Sequence, residues 1–276
     1  MADALIGRMV RVAAGNVHVR EDGPVSGRPV VLVHGMLGSI HWYDAVAAAL
    51  SDTFRVVRLD LLGHGRSDRA RRVDGRAQAR MLVALLEALD LEDAVVVGHS
   101  FGNDATVGAA ALSPRVTAVV IVGQGPDHSE VKMPPVTLVL RTPVLGALAH
   151  RLTPAWVQRL VLRPMFAPTY RPTSEFMAQA FRDHKAMAAA GHRAVIVDRT
   201  RQLGERPLDA QLRERPLPTL AVLGRHDCFY NADNARRRYE AAGARVVVLE
   251  DSGHNVNVEK PLELAALIRE FAAQPE

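Results

Sequence analysis

Short runs of β-branched residues alternate along this chain with alanine- and leucine-rich segments of helical length. The runs are RMVRVAA at 8–14, VHVRE at 17–21, PVVLVHG at 29–35, FRVVRLD at 54–60, DAVVVGHS at 93–100, VTAVVIVG at 116–123, PTLAVLG at 218–224 and RVVVLE at 245–250. Most of these runs hold a continuous apolar stretch, the pattern of strands covered on both faces. Helical patterns occupy 41–50, 74–90, 102–112, 232–242 and 260–273. Strand and helix alternating at this spacing predict an α/β fold: a mostly parallel, doubly wound eight-stranded sheet, flanked by helices and joined by right-handed crossovers. Sheets of this kind carry their sites at the carboxyl ends of the strands.

The alternation lapses between 126 and 205. That block is rich in proline, and its PAWVQRLVL and SEFMAQAFRDHKAMAAA segments favour helices over strands. It reads as a helical cap inserted into a core made of 1–125 and 206–276, placed to roof a pocket over the strand ends. The cap offers Met133, Leu138, Leu145, Leu148, Trp156, Met165, Phe166, Phe176, Met177 and Phe181 as apolar surface, most of it expected to pack against the core. Arg141, Arg163 and Arg171 are its candidate anion-binding groups.

Composition narrows the class. A chain of 276 residues, 48% hydrophobic and 23% charged, has enough apolar material for one large core. The net charge of +4 is mild, and the clusters RARR at 69–72 and RRR at 236–238 lack interleaved aromatics, so they read as solvated faces and not as a nucleic-acid site. Cys228 is the single cysteine, which excludes an internal disulfide or a CxxC motif and reads as a small buried residue. No apolar stretch near the N-terminus suits a signal peptide, and the apolar segment 134–150 is broken by Arg141 and Pro143. A cytoplasmic monomer or dimer without a transmembrane segment is expected.

The chemistry centres on AVVVGHSFGND at 94–104. A serine between two glycines is often only a small residue in a tight loop. Here Ser100 closes an apolar strand and opens a helical pattern, the setting of a nucleophile elbow. Gly98 and Gly102 are then required because a side chain at either place would strike the neighbouring strand or helix. A serine needs a base, and the base needs an orienting group. Asp227 follows the run PTLAVLG, and His254 lies in the loop after RVVVLE. Either alone is an ordinary turn residue. In the order Ser, Asp, His and at successive strand ends, they form a candidate triad.

With these residues in view, the chain resembles the α/β-hydrolase family over nearly its full length, through HGMLGS at 34–39, DLLGHGRSD at 60–68, GHSFG at 98–102, GRHD at 224–227 and SGHNVNVEKP at 252–261. The resemblance implies Ser100 as nucleophile, His254 as base and then acid, and Asp227 as the orienting carboxylate. It also implies that the backbone amides of Met36 and Phe101 form an oxyanion hole, worth about 3 to 4 kcal/mol per donor. His34, Gly35, Leu37, His99, Trp156 and Phe166 are candidate pocket residues. Asp127 and Asp251 are rivals to Asp227 for the acid.

A serine at this position, where some relatives carry aspartate, implies acyl transfer on an ester or thioester of a small to medium hydrophobic substrate. The resemblance leaves two alternatives: C–C bond hydrolysis of a vinylogous diketone, and a ligand-binding or non-hydrolytic pathway protein that retains the fold. No cofactor or metal is implied, since the sequence has no compact cluster of His and Asp; His34, His41 and His64 read as structural or pocket-lining. Many relatives continue the elbow with a second glycine, whereas this chain has Asn103 and Asp104. Asn103 is expected to fit without disrupting the turn, and Asp104 to charge the helix start.

Overall fold

A computed structural model of the chain describes residues 6–131, 137–140 and 142–273. The eight apolar runs form β1 (Arg8–Val12), β2 (Gly15–Asp22), β3 (Pro29–Val33), β4 (Arg55–Leu59), β5 (Ala94–His99), β6 (Val116–Val122), β7 (Thr219–Gly224) and β8 (Arg245–Leu249). They make one sheet in the order β1-β2-β4-β3-β5-β6-β7-β8. β2 pairs antiparallel with β1 and β4, and all other neighbours are parallel. Every residue of β5 and of β7 is buried, which is why those segments read as unbroken apolar runs.

Alternate residues of each strand feed opposite faces. Val31, Val33, Val96, Val119 and Ile121 pack with α2 (Gly75–Ala88) and α3 (Gly102–Leu112), through Met81, Leu82, Leu85, Ala105 and Ala109. Val30, Leu32, Val95, Val97, Val120 and Val122 face the other way. They meet α1 (Asp44–Leu50) and the C-terminal helix, Pro261–Ala272, through Val46, Leu50, Leu264, Ile268 and Phe271. Each such valine, taken wholly out of water, stabilises the fold by about 1.5 to 3 kcal/mol.

Between β6 and β7 the described chain contains no strand and runs through α4 (Thr137–Leu140), α5 (Pro143–Leu152), α6 (Ala155–Leu162), α7 (Ser174–Ala186) and α8 (Ala190–Arg193). A π-helical turn at Ala194–Arg199 leads on into α9 (Thr200–Glu205), and α10 (Leu208–Glu214) follows. The core resumes with α11 (Ala232–Glu240), α12 (Val256–Glu259) and α13, the Pro261–Ala272 helix. The insertion is tied to the loops at the carboxyl ends of the strands. Ala188 N donates to Gly63 O at 2.7 Å, His254 N to Met165 O at 2.9 Å, and Trp42 Nε1 to Asp183 Oδ2 at 2.9 Å.

Three expectations for the insertion change. Trp156 is 65% exposed, because α6 turns Gln158 and Leu162 inward, one helical turn apart, and carries Trp156 on the opposite side. Leu145 and Leu148 are likewise exposed. Arg163 and Arg171 donate to nearby backbone carbonyls of residues 167, 168 and 170, so neither is held ready for an anion. Met133, Arg141 and the side chain of Leu138 lie outside the described residues. Among the described residues no helix is long and apolar enough to cross a membrane.

Candidate active site

The turn after β5 is built by close backbone approach. Ser100 has φ +48°, in the left-handed region that a non-glycine residue rarely adopts, at a strain of order 1 to 3 kcal/mol. A Cβ on Gly98 would lie 2.6 Å from Thr106 Oγ1 and 2.8 Å from Asn103 Cα, and one on Gly102 would lie 2.5 Å from Val33 O. Both glycines are thus needed for the strand-to-helix turn to close. Ser100 N donates to Val122 O at 3.0 Å. Asn103 is wholly buried, and its Nδ2 donates to Ser100 O at 3.2 Å and Val122 O at 3.0 Å. The residue that departs from the family pattern therefore fits the turn and also bonds it to β6.

His254 and Asp227 meet beyond the neighbouring strand ends. His254 Nδ1 lies 2.8 Å from Asp227 Oδ2, and both side chains are nearly inaccessible. Asp227 Oδ1 accepts from Phe229 N at 2.8 Å and Tyr230 N at 3.3 Å, which fixes the carboxylate plane. With the Nδ1 proton directed at this carboxylate, Nε2 is the proton acceptor of the ring. The Phe229 ring stands edge-on to His254 at 4.8 Å. Gly123 leaves room for this loop, since a Cβ there would lie 2.3 Å from His254 O. The rival acids are elsewhere: Asp127 pairs with Arg238 at 2.7 Å, and Asp251 is exposed.

The loop after β3 lies against the elbow. A Cβ on Gly35 would stand 2.8 Å from His99 Nδ1 and 3.1 Å from Ser100 Cβ. His34 locks this loop, because its Nε2 accepts from Leu61 N at 3.0 Å, which leaves the Nδ1 proton to donate to Gly35 O at 2.7 Å. Asp60 supports it further by accepting from Ile40 N and Arg66 N. Among the described residues the amides of Met36 and Phe101 have no protein acceptor. Leu37 beside them is buried with φ +64°.

His99 donates from Nε2 to His254 O at 3.0 Å, and burial holds its pKa well below the usual histidine value. Burial does the same to His64, down to about 3, so these rings are neutral structural parts of the site. Phe166 is buried with Trp42, Leu162 and Ala180, and Met165, Phe176 and Met177 pack against them as an apolar group beside His254. A cavity of about 500 Å³ is lined by Trp42, His41, Tyr170, Phe176 and Asn257, and Ser100 is not among its lining residues. Cys228 is exposed, contrary to expectation, because it sits at the tip of the loop after β7. Its thiol is nonetheless partly desolvated by the loop, and this, with the Asp227 carboxylate second, pushes its pKa up to about 12.

The sequence reading missed Arg199. It enters from the π-helical turn, wholly buried, and its Nε contacts both oxygens of Asp104 at 3.0 and 2.9 Å. Its Nη2 donates to Ser100 O at 3.1 Å and to Gln124 Oε1 at 2.6 Å. Asp104 does lie in the first turn of α3, but its carboxylate serves this ion pair and does not face solvent at a helix end. Asp104 in turn keeps the guanidinium protonated despite burial. The expectation of no histidine cluster also changes: His150, His184 and His192 converge within the insertion.

Comparison with known proteins places this geometry in context. The chain is 31% identical over 247 residues to the dihydrolipoyllysine-residue acetyltransferase component of an acetoin cleaving system from Pseudomonas putida, a match covering 87% of this chain and 62% of that longer one. It is 33% identical over 105 residues to the esterase YbfF of Escherichia coli, covering 38% of this chain and 41% of that one. The chain thus spans less than two thirds of either relative. The carboxylesterase CesB from Bacillus subtilis superposes with a TM-score of 0.77 at 20% identity, over 98% of this chain and 92% of that one, a likeness of fold. The sheet order, the left-handed serine turn and a family model that matches residues 30–267 agree, and the chain belongs to the alpha/beta hydrolase family.

Proposed function

We propose that the protein is a serine hydrolase that cleaves an ester or thioester of a small to medium hydrophobic acid through an acyl-enzyme on Ser100. The observation that carries this reading is the 2.8 Å contact of His254 Nδ1 with Asp227 Oδ2, together with a serine held in a left-handed turn whose neighbour His99 bonds the His254 carbonyl. Ser100 Oγ attacks the acyl carbon as its proton passes to His254 Nε2, and the carbonyl oxygen takes up the electron pair. The amides of Met36 and Phe101 receive that oxyanion. Collapse expels the alcohol or thiol, which takes the proton from His254. A water molecule then repeats the cycle on the acyl-enzyme and releases the acid.

The helical block 126–205 acts as the lid of a core formed by 1–125 and 206–276, and its apolar group around Met165 and Phe166 supplies the surface for the acyl chain. Esterase-named relatives support acyl chemistry. Arg199, the buried cation near the Ser100 turn, is paired with Asp104 and is not free to meet an anionic diketone. Turnover of p-nitrophenyl esters of increasing acyl length, acyl thioesters and a vinylogous diketone tests this. The esters or thioesters are expected to turn over fastest, with Ser100→Ala lowering kcat by about 10⁴-fold or more. Undiminished turnover in Ser100→Ala, or preference for the diketone, contradicts it.

A further inference from the structure

Three histidines from three helices of the insertion converge in a cluster separate from the Ser100, Asp227 and His254 set. His150 lies near the end of α5, His184 near the end of α7 and His192 in α8, each no more than 6% exposed. One ring nitrogen from each lies within 4.8 Å of the others. The hydrogen bonds assign the tautomers. His150 Nε2 is 3.0 Å from Met187 O, and His184 Nε2 is 3.3 Å from His150 O; since a carbonyl only accepts, both Nε2 atoms carry the proton. The Nδ1 atoms of His150 and His184 are therefore lone pairs. His150 Nδ1 is met by His192 Nε2 at 2.9 Å, while the Nδ1 atoms of His184 and His192 are buried without any partner.

The unpartnered Nδ1 of His184 forfeits the hydration it had in water, and a cation bound between the three rings would give it a partner. An Nε2–H bond to a backbone carbonyl is also the support that holds a ligating imidazole in one orientation.

We propose that His150, His184 and His192 form a binding site for a borderline divalent cation, Zn²⁺ first, that pins α5, α7 and α8 together. His150 and His184 ligate through Nδ1. His192 shifts its proton from Nε2 to Nδ1 and ligates through Nε2, so no net proton is released. Three imidazoles with no carboxylate select Zn²⁺, Cu²⁺ or Ni²⁺ over Mg²⁺ or Ca²⁺. The fourth position is left to water or a small anion. Because α8 continues through the π-helical turn into Arg199, the ion steadies the helix that reaches the Ser100 carbonyl.

The test uses the full chain without a histidine tag, stripped with a chelator and titrated with Zn²⁺ against a chromophoric competitor. One equivalent should bind, with Tm rising by about 5 °C at saturation. His184→Phe and His192→Leu should each weaken binding by about 100-fold. Zinc K-edge absorption on the loaded wild-type protein provides a reading independent of how the variants fold, and three imidazole shells are expected. Failure of the folded wild-type protein to bind Zn²⁺, unchanged affinity in folded variants, or fewer than three imidazole shells overturns the proposal.

Discussion

Arg199 joins the insertion to the Ser100 turn through a single buried guanidinium. The carbonyl of Ser100 accepts from Arg199 Nη2, Asn103 N and Asn103 Nδ2, so three donors hold the strained turn in place. Breaking a buried ion pair from one side leaves an uncompensated charge, at about 3 to 5 kcal/mol, whereas removing both partners does not. Arg199→Met is therefore expected to lower stability in urea by about that amount. The double substitution Arg199→Met with Asp104→Asn should recover much of the loss. Single-variant effects that simply add in the double variant would contradict the pairing. The contact was not legible in the sequence, because 95 positions separate the partners and a π-helical turn shifts the face that carries Arg199. Asp104 in a first helical turn looks like any carboxylate placed for the helix dipole.

The elements were far more legible than the contacts between them. β3, β5, β6 and β7 were visible because strands buried on both faces leave uninterrupted valine and leucine runs. Helices of the insertion were visible too, but Trp156 shows why their facing was not: an apolar helix does not announce which side meets the core. α7 supplies a test at this scale. Burial pushes Asp183 up to about 6, against about 3.9 in an unfolded chain, although Trp42 Nε1 and Gln179 Nε2 both donate to it. The folded state thus holds this proton more tightly, and ionising Asp183 lowers stability as pH rises from about 4 to 6. Below that window both states are protonated and the effect vanishes. Asp183→Asn loses the titration, so its stability relative to wild type should climb by about 3 kcal/mol between pH 4 and 7. A difference that is flat with pH in urea denaturation would show that Asp183 is not held protonated.

At the scale of the whole molecule, the sheet brings distant loops to one edge of the strands, where the Ser100 turn, the His34–Ile40 loop, Asp227 and His254 meet. The order of these residues was readable because each sits just past an apolar run. The three-histidine cluster was not, since its members come from three helices whose mutual packing no local spacing encodes. An activated serine is the central claim for the assembled site. Intact-mass analysis after exposure to a fluorophosphonate tests it most directly, with wild type beside a folded Ser100→Ala. Rapid addition of one phosphonyl group to the wild-type chain, absent in Ser100→Ala, is the expected result. A folded wild-type protein that stays unlabelled, or equal labelling of the two proteins, would contradict an activated Ser100.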